Sequence, residues 1–237
     1  MVTGMNLGLY SGVSSVRANE RRMEVIASNL ANIDTPAFKR RSLRSFSVAL
    51  GNAKGGPQQV ATAQRTDFSQ GPLERTGNPL DLALLGDGFF AIEGDEGEVY
   101  TRRGTFLTDE AGGLVTDEGR PVAWRGARGA IDPVGLPVTI DASGTVHQGS
   151  ETLGQIKIVN FVNPEQLQPG SDGNYHAPPQ LDRGASDAEV HQFTQERSNV
   201  SSITELVALI STQRSFESAT KLMQMLDESY RQLINNR

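Results

Sequence analysis

From Met5 to Ile33 the residues Leu9, Gly12, Val16, Asn19, Met23, Ile26, Leu30 and Ile33 fall at alternating intervals of three and four. That spacing lays them along one seam of a helix spanning 5–33, with Gly12 and Asn19 as its weak positions. Arg17, Glu20, Arg21, Arg22 and Glu24 lie between them and suit a solvated face. Asp34-Thr35-Pro36 stops the helix, because proline lacks an N–H and restricts the residue before it.

The same pattern returns at the other end and predicts a helix over 198–234. Ser198, Ser201 and Ser202 are candidate caps, and Glu205, three residues after Ser202, makes a possible capping box. Ile203, Leu206, Val207 and Ile210 form an apolar stripe. From Leu209 a seam runs through Thr212, Phe216, Ala219, Met223, Leu226, Tyr230 and Leu233, with no Gly or Pro to interrupt it.

The middle, 37–197, has a different pattern and holds 22 of the chain's 25 glycines and 10 of its 11 prolines. Short β-like runs recur at Leu80–Leu85, Phe89–Ile92, Val99–Arg102, Gly113–Thr116, Pro137–Ile140, Thr145–His147 and Ile156–Val162, separated by turn dipeptides such as Asp-Gly and Gly-Gly. Residues 51–59 read as a flexible linker or loop.

The predicted fold is therefore a mainly β central body with long N- and C-terminal α-helices forming a coiled-coil-like axial domain. The expected division is a discontinuous helical assembly domain at 1–36 and 198–237, a linker and β extension at 37–79, and a β-rich body at 80–197. Two seamed helices must bury their stripes against each other, against other copies, or over the β body.

Composition narrows the function. The 237 residues carry a net charge of −6, which argues against broad binding to nucleic acid or acidic membranes. The chain has no cysteine, which removes disulfides, thiolate metal sites and cysteine nucleophiles. No apolar run reaches the roughly 18–20 residues needed to cross a bilayer, so no membrane span is expected. Residues 1–10 lack a basic region followed by a long apolar core, so a cleaved secretory signal is not expected either.

Apparent signs of chemistry fail on context. Gly86-Asp87-Gly88-Phe89-Phe90-Ala91 matches a relaxed dinucleotide fingerprint, with Asp109 about twenty positions on. That site needs a helix opening at the glycines, whereas Phe89–Ile92 is strand-like and a hairpin is the better reading. His147, His176 and His191 are too widely spaced for metal ligation. No pairing of Asp81, Asp87, Asp109, Asp117 or Asp132 as acid and base is indicated. The basic cluster Lys39-Arg40-Arg41-Ser42-Leu43-Arg44, with Phe38 and Phe46 beside it, reads as a solvated or subunit-contacting face and not as a nucleic-acid site. Neither a catalytic nor a cofactor or metal site is expected, and the chain reads as a non-enzyme.

Three blocks resemble one family. Leu9-Tyr10-Ser11-Gly12, followed by Ala27-Ser28-Asn29-Leu30-Ala31-Asn32-Ile33-Asp34-Thr35-Pro36-Ala37-Phe38-Lys39, resembles the N-terminal signature of flagellar rod and hook proteins, with Ala37 where a glycine is usual. Gly71 to Phe90, continuing through Tyr100–Phe106 and Gly113–Thr116, is similar to the family's central motif. Ser198-Asn199-Val200, Glu205-Leu206-Val207 and Thr212-Gln213-Arg214-Ser215-Phe216-Glu217 are similar to its C-terminal signature.

The ordered set covers more than half the chain. The resemblance implies a structural subunit of the bacterial flagellar basal-body rod, most like the proximal rod subunit. A distal rod or hook-type subunit is the alternative, and a secreted β-rich binding module a more distant one. It implies export through the flagellar type III apparatus without a cleaved signal, a place in the periplasmic rod, and partners that are copies of itself and neighbouring rod, hook or basal-body subunits. Met1–Gly4 precede the family's usual start, which makes Met5 a candidate initiator. The assembly interface is expected at Leu9, Val16, Met23, Ile26, Leu30, Asn29 and Asn32 on the first helix. On the second it is expected at Leu209, Phe216, Met223, Leu226, Tyr230 and Leu233.

Overall fold

Residues 2–49, 58–95, 97–170 and 172–235 are described by the computed structural model of the chain. They fall into two compact units, one of 1–33, 40–67 and 200–237, the other of 34–39 and 68–199.

The first unit holds α1 (Val2–Ala31), a hairpin of β1 (Arg41–Ala49) and β2 (Gln58–Thr66), and α2 (Ser202–Asn235). The strands are antiparallel, with Arg41 opposite Thr66 and Ala49 opposite Gln58. Helix α1 packs on α2 and also on both strands. Its end is closed locally, since the Asn32 amide donates to the Ser28 carbonyl at 2.8 Å and the proline at 36 forbids continuation. Ile26 and Asn29 are buried, while Val16, Met23 and Leu30 are half-buried.

The regular elements of the second unit, among the described residues, are strands apart from one short 3-10 turn at Pro164–Gln166. Its chain order is β3 (Leu73–Arg75), β4 (Leu82–Leu85), β5 (Phe89–Gly94), β6 (Gly97–Thr101), β7 (Phe106–Thr108), β8 (Leu114–Thr116), β9 (Trp124–Arg125) and β10 (Val138–Ile140). There follow β11 (Thr145–Gln148), β12 (Glu151–Ile156), β13 (Ile158–Phe161), β14 (Gln168–Pro169), β15 (Tyr175–His176), β16 (Arg183–Ala185), β17 (Glu189–Gln192) and β18 (Thr194–Glu196). A six-stranded sheet runs β14-β15-β6-β5-β13-β16 and a four-stranded sheet runs β10-β11-β12-β9. The pairs β17-β4, β18-β3 and β7-β8 stand apart.

Strand β5 shows why this unit has two cores. Successive side chains of a strand point to opposite faces, and here both faces are covered. Phe90 and Ile92 join Leu82, Phe106, Val146 and Ile156, while Phe89 and Ala91 join Tyr100, Val159, Phe161 and Tyr175. Edge-to-face contacts order both cores, at 5.3 Å for Phe90–Phe106 and 4.8 Å for Tyr100–Phe161. The Gly86–Ala91 segment is a turn leading into a strand, so no helix opens at its glycines.

The β-rich body fits the expectation, but the coiled-coil-like axial domain does not. The described residues form eighteen strands and only two α-helices, one at each end. The unit that holds the helices is not a coil of two helices, because the β1–β2 hairpin shares in covering α1. A three-four spacing shows that a helix face is buried, not what buries it. The polar alternation of Ser42, Arg44, Gln58 and Gln64 hid the strands that do so. Of the segment 51–59 read as a linker, 51–57 lie outside the described residues, while 58 and 59 begin β2. No helix among the described residues is long and apolar enough to cross a membrane.

Candidate assembly surface

The N-terminal signature meets the C-terminal one at Asn29, among other contacts. Asn29 is fully buried. Its Nδ2 donates to the Arg41 carbonyl at 2.8 Å and to Glu205 Oε2 at 3.1 Å, and its Oδ1 accepts from the Arg41 N–H at 2.9 Å. The other carboxylate oxygen of Glu205 takes the Arg40 Nε at 2.6 Å. Glu205 is itself fully buried, and this partnership replaces the capping-box role expected of it. One amide thus ties α1, β1 and α2 together. Asn32, by contrast, makes the local helix-end bond already described.

Beyond this hub the two helices meet closely at Gly12. A Cβ built there would stand 3.0 Å from Met223 Cγ, so the weak position of the seam is a place of close approach to the second helix. On α2 the residues turned inward are Glu205, Leu209, Thr212, Phe216, Ala219 and Met223, all buried or half-buried. Leu226 remains 38% exposed. The side chains of Leu9, Tyr230 and Leu233 lie outside the described residues.

The opposite side of α2 is apolar as well, and open. Ile203 is 74% exposed, Val207 61% and Ile210 53%, with Leu206, Leu222 and Met225 also exposed. At 3.6 residues per turn, Ile203, Val207 and Ile210 lie roughly opposite Leu209, Thr212 and Phe216. A contiguous exposed apolar patch rimmed by polar residues marks an interaction site.

The β-rich unit has its own internal tie. Lys39 and Glu196 are each 1% exposed and form an ion pair at 2.6 Å. Lys39 Nζ also donates to the Ser69 carbonyl at 2.7 Å, and the Gly71 N–H donates to Glu196 Oε1 at 2.8 Å. Arg102 stands with its Nη1 3.7 Å from Glu196 Oε2, as an ion pair without a hydrogen bond. Burial lowers the Arg102 pKa, and Glu196 opposes that shift. The chain enters this cluster through Ala37, which has φ 55, a left-handed conformation that disfavours a Cβ. The expected solvated basic face is therefore divided. Lys39 and Arg40 have buried carboxylate partners, and Arg44 alone of the four cations is exposed. Those partners lie 157 and 165 residues along the chain, so no local signal could have found them.

No group of three or more His, Cys, Asp or Glu side chains able to hold a metal occurs among the described residues.

Three family models match the chain in order. Residues 9–39 match the model described as flagella basal body rod protein, 83–148 the flagellar hook protein FlgE/F/G D1 domain, and 191–236 the flagellar basal body rod FlgEFG protein C-terminal. Among curated proteins, the chain is 35% identical to the flagellar basal-body rod protein FlgF of Caulobacter vibrioides, over 92% of this chain and 93% of that one. It is 35% identical to FlgF of Mesorhizobium japonicum, over 95% of each. It is 31% identical to the rod protein FlgG of Bacillus subtilis, over 96% of this chain and 97% of that one.

Proposed function

The chain belongs to the flagellar basal body rod family as a structural subunit of the proximal rod type, and on that premise we propose that it assembles through both faces of α2. The inward face meets α1 of the same chain. The outward face, Ile203, Leu206, Val207 and Ile210, receives neighbouring subunits, which are copies of itself or other rod and hook proteins. The observation that carries this is the double-sided apolar character of α2. A helix serving one chain alone has no need of the second face.

The proposed role is mechanical and not catalytic. Leu9, Val16, Met23, Ile26, Leu30, Leu209, Phe216, Met223, Leu226, Tyr230 and Leu233, with Asn29 and Asn32, form the helix contacts of this assembly. Delivery is by the flagellar type III export apparatus, without a cleaved signal, to the rod in the periplasmic space. Similarity to both FlgF and FlgG rod proteins over more than nine-tenths of the chain supports a rod subunit of the proximal type.

The experiment is complementation. In the host lacking its own copy, the wild-type chain restores motility and is recovered in purified basal bodies. Val207→Asp and Ile210→Asp alter exposed positions, so the purified monomer keeps its melting temperature while incorporation and motility are lost. Normal motility from both variants at normal expression would overturn the assignment of this face.

A further inference from the structure

The segment between β9 and β10 ends in an apolar knob. Ile131 anchors it in the core, and the tip Asp132-Pro133-Val134-Gly135-Leu136-Pro137 follows. Val134 is 92% exposed, and Leu136 is exposed as well. The tip is nevertheless held in place. Gln148 Oε1 accepts the Asp132 N–H at 2.9 Å, and Gln148 Nε2 donates to the carbonyls of Asp132 and Leu136 at 2.8 Å each. Asp132 Oδ1 accepts the Val134 N–H at 2.9 Å, and the prolines at 133 and 137 each fix a backbone angle. One glutamine side chain thus holds out two apolar groups that the chain itself leaves open. A segment ordered in advance loses little freedom on binding.

The same unit carries an open cavity of about 280 Å³. Ile156, Ile158 and Ala188 supply apolar lining, while Arg125, Asp187 and Glu189 are its exposed members. Its hydroxyls are engaged within the chain: Ser143 Oγ donates to Asp141 Oδ1 and Ser186 Oγ to the Asp87 carbonyl, each at 2.6 Å. The Gln155 amide donates to the Ser143 carbonyl at 2.8 Å. With these polar groups committed, the space suits apolar side chains. A cavity of about 150 Å³ holds a benzene ring, so this one has room for Val134 and Leu136 together.

Knob and cavity lie at opposite ends of one sheet. Where β10 meets β11, Val138 is opposite Gln148 at the knob end. Ile140 is opposite Val146 at the other, where the chain turns through Ala142 and Ser143 of the cavity lining. Strand β12 likewise runs from Glu151, opposite Gln148, to Gln155 and Ile156 at the cavity. The knob of a copy is therefore directed away from that copy's own cavity.

We propose that the Val134–Leu136 knob of one copy seats in the cavity formed by Ile156, Ile158 and Ala188 of a second copy. Charge agrees with this pairing. Asp132 beside the knob and Arg125 at the cavity are exposed, neither enters an ion pair among the described residues, and they face each other across the contact. The identity of the partner as another copy rests on the rod reading above. An apolar knob that fits a pocket elsewhere on the same molecule makes a head-to-tail contact, which propagates instead of closing on a dimer.

The cysteine-free chain allows a clean test. Val134→Cys and Asp187→Cys are introduced together into the full chain, and isolated basal bodies are oxidised. The expected result is covalent dimers and longer species from the double variant, with monomer only from either single variant. A dimer from Val134→Cys alone, an internally linked monomer, or monomer only from the double variant would overturn the proposal.

A second arm alters knob and cavity separately. Val134→Asp brings a charge to the apolar lining, and Ala142→Trp fills the cavity from an exposed position. Each should lower incorporation at least tenfold, the monomer's melting temperature staying unchanged. Full incorporation of either variant also overturns the proposal. Failure of the rod reading looks different, because the wild-type chain itself would then be absent from basal bodies.

Discussion

Asn29 of α1 and Glu205 of α2 are both fully buried and joined by a hydrogen bond of 3.1 Å. Removing the amide leaves a buried carboxylate with one partner fewer and takes a partner from the N–H and from the C=O of Arg41. A buried polar group left unsatisfied costs about 1–3 kcal/mol, more when charged. Asn29→Ala should therefore destabilise the helical unit by roughly 3 kcal/mol, and Asn29→Asp by at least as much through repulsion. Helical circular dichroism during thermal melting measures this. Asn32→Ala, which loses the bond to the Ser28 carbonyl at the helix end, should cost less than Asn29→Ala.

Gly12 and Met223 form a matched pair. Gly12→Leu forces a side chain into the space of Met223, 3.0 Å from the would-be Cβ, and overpacking of this kind costs about 1–3 kcal/mol. Met223→Ala should then recover a large part of the loss in the double variant. A melting-temperature cycle over the four proteins tests the coupling, and additive effects would show that the two residues do not meet.

The buried cluster in the β-rich unit predicts an order of severity. Glu196→Gln leaves Lys39 and Arg102 without their carboxylate and should cost about 3–5 kcal/mol. Lys39→Met leaves Glu196 still facing Arg102 and should cost less. Urea unfolding followed by Trp124 fluorescence ranks the two.

Position 37 separates backbone strain from packing. Ala37 holds φ 55 while 7% exposed. Glycine relieves strain there but gives up a buried methyl and frees the unfolded chain, so Ala37→Gly should stay within about 0.5 kcal/mol of neutral. Ala37→Val places a β-branched residue at positive φ and should cost about 2 kcal/mol or more. Thermal melts of the two variants decide between these effects.

Acid should loosen the β-rich unit. Burial pushes the Glu98 carboxyl up, but its hydrogen bond and charge pairing with Lys157, helped by Tyr100, hold it below its usual 4.5. Burial also pushes Asp172 up, yet Asn174 and Arg120 bring it below 3.8 overall. Folded values below unfolded ones give stability that is present above the unfolded pKa and is lost as pH falls through the folded one. Denaturant midpoints should thus decline from about pH 4.5 downward, and Glu98→Gln should flatten that decline. An unchanged slope in the variant would assign the acid sensitivity elsewhere.

Much of this was legible in short-range patterns. Strands lie close to the apolar runs at Leu80–Leu85, Phe89–Ile92 and Ile156–Val162, because β-branched and aromatic residues bounded by turns leave few other options. The inward residues of α2 fall on the spacing that begins at Leu209. Two things were hidden. The apolar Ile203–Ile210 stripe was visible, but that it stands open while the neighbouring seam is covered depends on where α1 lies. Lys39 and Glu205 look like ordinary surface charges, since their partners are more than 150 residues away in the chain. Charge type can be read from the sequence, whereas burial of a charge depends on topology.

The Asn29–Glu205 bond spans 176 positions and the Lys39–Glu196 pair 157. Neither can form until almost the whole polypeptide is available, and loop closure over such distances slows folding. A chain delivered from its amino end therefore leaves Asn29 waiting until Glu205 arrives, and the helical unit is completed last. Timing thus follows from chain connectivity: the tie between the two helices closes only after residue 205 has been made.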